Sequence, residues 1–407
     1  MSLLISTGAV AATAWDLNDV TYIFPLPNTS IISGSIRASD LDASGQPVIP
    51  VETLTAVAGG SGPLGLLMEG DVLPRSANFD EYNDLFLLSL RIDPCFKDNF
   101  ADQCRRQIRA VWQPVDHWRD NSPESIDAAV HTFYDLSEKE FSTVLEGIQT
   151  LKSHYQLATE GKPLGINPGF SNITLTEYQK DFRTLILQSI SLKKMSRMAI
   201  LKLAGFGVGW DLFSKNIVGG ALIPVKIFPK GDTEQQVSNI HGVDSLKDGN
   251  FDSSTPSKIA AEIISRHFYT SKDQAFFDDE SPVTNEQGDQ LLDVMLDSKT
   301  VLSVPAKAQL VLAKAQRIED PKANLPGTVD CVSCHVSNAM KVLSGASFPA
   351  VSAPQTTGKY NLTNNSFYYA NTHQLRMLGY LYDKVQIADR SIYEAAAVAD
   401  YLNSGAH

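Results

Sequence analysis

The run Cys331-Val332-Ser333-Cys334-His335 constrains this chain more than any other stretch. Two cysteines three positions apart share one side of a helical turn, so both sulfurs can reach the two vinyl groups of one porphyrin. The histidine beside the second cysteine then meets the iron from one face. This spacing is the signature of covalent haem attachment. With 4 cysteines and 8 histidines in 407 residues, an accidental match is expected on the order of once per thousand such chains. Two blander readings weigh less. A structural zinc needs about four protein ligands at close spacing, and neither a second C-x-x-C nor an H-x-x-x-H is present. A thioredoxin-like redox pair belongs in a βαβ setting, which the flanking sequence does not suggest.

Length allows two or three domains. A hydrophobic fraction of 43% and a charged fraction of 20% describe a globular chain. No run of 18 or more apolar residues is present, so no membrane span is expected. The net charge of −12 argues against nucleic acid as a partner and is compatible with a basic redox partner protein. Cys95 and Cys104 are expected to form a disulfide closing a short loop, worth roughly 2–3 kcal/mol on the chain-entropy estimate. A disulfide and a covalent haem both fit an oxidising compartment, here the bacterial periplasm or the cell exterior. Residues 1–14 are apolar and small but carry no Lys or Arg ahead of the apolar part. They read as a residual leader and are set aside.

Along the chain, Val20–Phe24 and Leu85–Ile92 are candidate strands, and Gly59–Pro63 is a loop. Residues 100–205 read as strongly helical. One helix is expected to start at Ser122-Pro123, with Ile126, Ala129, Val130 and Phe133 as its apolar face. Capping boxes at Ser137/Glu140 and Thr174/Glu177 predict two more, with faces at Phe141, Val144, Leu145, Ile148 and Leu151, and at Tyr178, Phe182, Leu185 and Ile186. Trp210–Val218 and Ala221–Phe228 around Gly219-Gly220 predict a β-hairpin within residues 206–230, with Pro224 placing its second strand at a sheet edge. Further helices are expected near 256–269, 286–297 and 305–318. Ser391 and Glu394 form a capping box for a last helix with Ala395, Val398, Ala399 and Leu402 on its buried face and Gly405 past its end.

From residue 301 onward the chain resembles the c-type cytochromes. Cys331, Cys334, His335 and the C-terminal helix carry the resemblance, with Tyr401 where that family often has an aromatic residue. It implies an all-α haem domain over residues 301–407, one haem c and one-electron transfer. The expected fold class is mainly α with minor β. That haem domain would pack on a larger, mostly helical N-terminal region, residues 15–300, with short strands and a hairpin, of unknown role.

The resemblance also implies a second axial ligand between the motif and the last helix. Met377 lies there, and a methionine opposite histidine raises the potential of a cytochrome. Met340 is too close to His335 to reach the other face. His373, one helical turn before Met377, is the rival ligand. An open position is the third possibility, and it supports the alternative function of a peroxidase-like haem enzyme with an N-terminal substrate pocket. Di-haem peroxidases carry two C-x-x-C-H motifs, however, and this chain has one. Arg376 and Arg390 are candidate partners of the haem propionates, and Tyr360, Tyr368 and Tyr369 are candidate neighbours of the haem edge. His117, His131, His154, His241 and His267 lack ligand spacing and read as structural or exposed. No catalytic residue is proposed.

Overall fold

The computed structural model describes residues 14–27, 34–58, 79–119, 122–126, 128–171, 175–203, 210–225, 291, 304–329, 333–335, 337–338, 341, 356–364 and 378–405. Several expectations therefore lie outside the described residues: the leader, the Gly59–Pro63 loop, Thr174 and the helices near 256–269 and 286–297. So do Cys331, Met340, Tyr368, Tyr369, His373, Arg376 and Met377.

Its centre, among the described residues, is an antiparallel sheet of eight strands, β1 (Thr21–Ile23), β2 (Leu85–Phe96), β3 (Arg105–Arg119), β4 (Ser122–Ser125), β5 (Ala129–Leu136), β6 (Met195–Leu203), β7 (Trp210–Val218) and β8 (Ala221–Pro224). The order is β1-β2-β3-β5-β6-β7-β8, with β4 paired to β3 off this path. A separate hairpin joins β9 (Leu378–Leu381) to β10 (Lys384–Ile387). The helices are α1 (Leu17–Val20), α2 (Val51–Val57), α3 (Glu138–His154), α4 (Pro168–Ser171), α5 (Thr176–Ser189), α6 (Pro305–Glu319) and α7 (Asp389–Asn403).

The expected mainly α class is thus corrected. Residues 105–119, 122–125, 129–136 and 195–203, read as helical, are strands. The helical stripe Ile126, Ala129, Val130, Phe133 competes with a two-residue alternation. Val130, Thr132, Tyr134 and Leu136 are buried on one face, whereas His131, Phe133 and Asp135 are only half-buried on the other. Three of the residues from 130 to 134 are aromatic and two are β-branched, which suits a pleated surface better than a helix. In β3 the apolar Ile108, Ala110 and Trp112 alternate with Gln107, Arg109, Val111 and Gln113, a strand pattern in type although most of both faces is buried there. The implied all-α C-terminal domain is corrected too, because β9 and β10 lie within it.

Other expectations hold. The Cys95–Cys104 disulfide is present. Ser137 and Glu140 form a reciprocal capping box at the start of α3. Gly219 and Gly220 have φ of 57° and 86°, the paired positive values that a two-residue hairpin turn needs, and among the described residues β8 is one edge of the sheet. The last helix starts at Asp389, earlier than expected, so Ser391 lies inside it and does not cap it.

The two faces of the sheet are covered differently. α3 packs on β3 and β5, and α5 packs on α3. Phe141, Tyr178 and Phe182 of these helices are fully buried, as are Trp112 and Tyr134 of the sheet. Burying each such side chain contributes about 1.5–3 kcal/mol of transfer free energy. The second face is covered by chain ends. α7 packs on β2, and β9 crosses β2 and β3. Gln113 acts as a surrogate strand for β9: its Oε1 accepts from Tyr380 N at 2.7 Å and its Nε2 donates to Tyr380 O at 2.9 Å. Asn403 bonds both backbone groups of Trp15, at 2.8 and 2.9 Å, tying the last helix to the start of the described chain. One hydrophobic core runs through residues from both sides of residue 300.

Candidate cofactor cavity

The half-covered face of the sheet holds a cleft of about 1350 Å³, its open mouth included, of which about 220 Å³ admits the centre of a water molecule. Strand registers build its floor. Across β3, β5, β6 and β7, Val111 pairs with His131, His131 with Ala199, and Ala199 with Ser214. In the next row, Arg91 pairs with Arg109, Arg109 with Phe133, and Phe133 with Arg197. Side chains of one row and its neighbour share a face because alternate residues point the same way. Leu201 and Phe213 extend the apolar floor, and Leu325, Pro326, Val329 and Leu378 close it from the other side.

Cys334 and His335 line this same cleft. Residues 333–335 are helical, which puts Cys334 and His335 side by side at its edge, both half-buried. The turn is anchored: Ser333 Oγ accepts from Leu291 N at 3.1 Å, and Ser337 Oγ donates to Cys334 O at 2.8 Å. The His335 ring centre lies 6.0 Å from that of His131, with 62° between the ring planes. His131 is the residue that sequence reasoning passed over. The signal available was the alternation of residues 129–136, which, read as a strand, sets His131 and Phe133 on one face.

One end of the cleft is a buried ionic cluster. Glu394 of α7 receives Arg91 Nη1, Arg109 Nη2 at 3.1 Å and Arg390 Nε at 2.8 Å. Arg109 also pairs with Asp93 at 3.1 Å. Burial alone would raise the Glu394 carboxyl, but Arg109, Arg91 and Arg390 outweigh it and hold it well below the usual carboxylate range. Burial brings the Arg91 guanidinium down to about 10 and raises the Asp93 carboxyl. Arg109 Nε is buried and finds no hydrogen-bond partner among the described residues. The cluster also walls a second cleft of about 660 Å³, its open mouth included, of which about 200 Å³ admits the centre of a water molecule and which Tyr401 lines.

Arg390, expected at a propionate, does line the cleft. Its remaining donors go to Ile318 O and, at 3.1 Å, to Asn324 O, so it also clamps α7 to the turn after α6. Tyr360 sits elsewhere, accepting from Asn403 Nδ2 at 3.2 Å. His154 stacks edge-on against Tyr155.

The disulfide loop touches the cleft through its roof. Gly327 N donates to Asp98 O, and a side chain at Gly327 would overlap that carbonyl. Asp98 in turn accepts from Arg197 at 3.0 Å and from Arg105.

Among the described residues no helix is long and apolar enough to cross a membrane. Among them, too, no three His, Cys, Asp or Glu side chains gather as a cage for a bare metal ion. No protein family, no curated protein and no solved structure matches this chain, so the reading of the cleft rests on its own chemistry.

Proposed function

We propose that this protein is a mono-haem c-type cytochrome that transfers electrons in the periplasm or outside the cell, with the haem c held against the half-covered face of the β-sheet. The observation that carries this reading is the placement of Cys334 and His335 on the wall of a large, mostly apolar cleft. The residues present fit the group. A porphyrin would supply most of its iron's ligands itself, so the absence of a cage of three ligands among the described residues is no obstacle. Its apolar faces match Val111, Leu201, Phe213 and Val329. Its two carboxylates need donors, and the buried, unpartnered Arg109 Nε is one.

In this reading Cys331 and Cys334 hold the cofactor covalently and His335 ligates its iron. When bound, haem c supplies a one-electron couple. The chain does the rest. The apolar floor excludes water, which lowers the local dielectric and strengthens every charge effect at the site. Three guanidiniums face two carboxylates, Glu394 and Asp93, leaving one net positive charge at that end for an anionic substituent. The net charge of −12 favours docking of a basic redox partner.

The test is production with a working c-type haem maturation system. The protein should be coloured, keep its haem through denaturing electrophoresis and acid–acetone extraction, and cycle reversibly by one electron per haem. Cys334→Ala should lose the covalent attachment. Colourless protein, or haem that extracts freely from the unsubstituted chain, refutes the reading.

A further inference from the structure

The geometry points to His131, from the middle of β5, as the second axial ligand of the haem iron, opposite His335; this inference rests on the haem reading above. Three observations converge on it. The first is distance. A metal gripped by one nitrogen of each of two imidazoles, with bonds of about 2 Å, holds the ring centres about 6 Å apart. The observed separation is 6.0 Å. The second is location. Both rings line the same cleft, one on the sheet floor and one on the roof that carries Cys334. The third is the neighbourhood. His131 is flanked across the strands by Val111 and Ala199, both compact, so the floor on either side of the imidazole is low and leaves room for a flat group above it.

The ring planes differ by 62°. Two rings facing one metal from opposite sides can be twisted about their common axis by any angle, so this value is admissible. The separation also falls within the range of ordinary edge-to-face ring pairs, about 4.5–7 Å. A ring pair of that kind makes a different prediction from ligation, and spectroscopy separates the two.

The consequence is a six-coordinate, bis-histidine iron. With both positions filled by protein, exogenous ligands are shut out, which favours electron transfer over the peroxidase-like alternative. Histidine in place of methionine also lowers the reduction potential relative to a His/Met cytochrome.

The experiment compares absorption and electron paramagnetic resonance spectra of the full-length haem-loaded protein with those of His131→Gly, His131→Gln and Met377→Ala. The unsubstituted protein should be low-spin in both oxidation states and lack the weak near-infrared band of methionine–iron bonding. His131→Gly should turn the ferric iron high-spin and bind cyanide at least tenfold faster, and added imidazole should restore the low-spin spectrum. A merely structural role for His131 would not be rescued by imidazole. His131→Gln keeps most of the side-chain volume, so a variant with a native unfolding transition and altered iron separates ligation from folding. Met377→Ala should leave spectrum and cyanide binding unchanged. An unaltered ferric spectrum in both His131 variants, or loss of the low-spin state in Met377→Ala, overturns the assignment. Covalent haem is measured in every sample: if the unsubstituted chain holds none, the haem reading itself has failed, whereas intact haem with unchanged ligation refutes His131 alone.

Discussion

Replacing Glu394 by alanine tests whether the ionic cluster behind the cleft is a structural keystone. The carboxylate is 15% exposed, and the arginines it receives, Arg91, Arg109 and Arg390, are 6%, 17% and 4% exposed. All four groups are therefore largely shielded from water. Alanine leaves three buried guanidiniums without this partner. Arg109 keeps Asp93, while Arg91 keeps Thr21 Oγ1 at 3.1 Å and Ser391 O at 2.7 Å. Removing one partner of a buried ion pair costs about 3–5 kcal/mol, and we expect about 4 kcal/mol for Glu394→Ala. Glu394→Gln retains an acceptor oxygen but turns an amide N–H₂ toward a guanidinium, for a loss of about 2–3 kcal/mol. Arg91→Met should cost less than Glu394→Ala, because Glu394 keeps two arginines. Combining the two should cost less than their sum, since groups in one network are not additive. The assay is equilibrium urea unfolding at pH 7, followed by tryptophan fluorescence. The acid limb gives a second readout. A carboxyl depressed in the folded state contributes stability above its ordinary value of 4.5 and loses it as pH falls toward the folded value. The unsubstituted protein should therefore weaken below about pH 4.5 more steeply than Glu394→Gln. A Glu394→Ala protein within about 1 kcal/mol of the parent, or one that loses less than Arg91→Met, would refute the reasoning.

Two further outcomes are expected. Glu319, 1% exposed, pairs with Lys341 at 2.6 Å beside Asp389, and burial pushes its carboxyl up to about 7. The folded state then holds a proton the unfolded chain has released, so stability should fall by up to about 3 kcal/mol as pH rises from about 4.5 to about 7. Glu319→Gln should flatten that slope in thermal melts across the range, and a slope unchanged by the substitution would contradict it. Gly379 has φ of 150°, and a side chain there would overlap Gln113 Oε1, the acceptor that holds β9. Gly379→Ala should cost about 1–3 kcal/mol and raise amide exchange at Tyr380. Unchanged protection at Tyr380 would show that the Gln113 clamp does not depend on this approach.

What could be read from the sequence was local. The Ser137/Glu140 box, the Gly219-Gly220 turn, the short cysteine loop and the Leu85–Ile92 strand each follow from residues a few positions apart. β5 and β6 pair across the three helices α3, α4 and α5, whereas β3 pairs with its sequence neighbours β2 and β5; short apolar stretches in all three satisfied both helical and two-residue periods. The error over residues 122–136 hid more than a strand. On a helix His131 would have had no defined facing. On β5 it faces the cleft beside Phe133, across from Val111 and Ala199. Cys334 and His335 were singled out without any fold, from their spacing alone, and the structure places both on the cleft wall. Glu394 was read as the third position of a capping box, and only the approach of α7 to β2 and β3 shows it as the acceptor for three arginines. Met377, Arg376 and His373 lie outside the described residues.

The floor of the cleft is made by residues 91–214 and its roof by residues 325–391, whereas the ionic wall joins the two, Arg91, Asp93 and Arg109 meeting Arg390 and Glu394. The bond from Arg91 to Glu394 spans 303 positions, and the two from Asn403 to Trp15 span 388. A chain shortened by its last fifteen residues loses both closures at once, and a half-made chain has α3 and α5 on one face of its sheet but nothing to lay across the other. The cleft is therefore a product of the finished polypeptide, assembled late and slowly as long-range pairing demands.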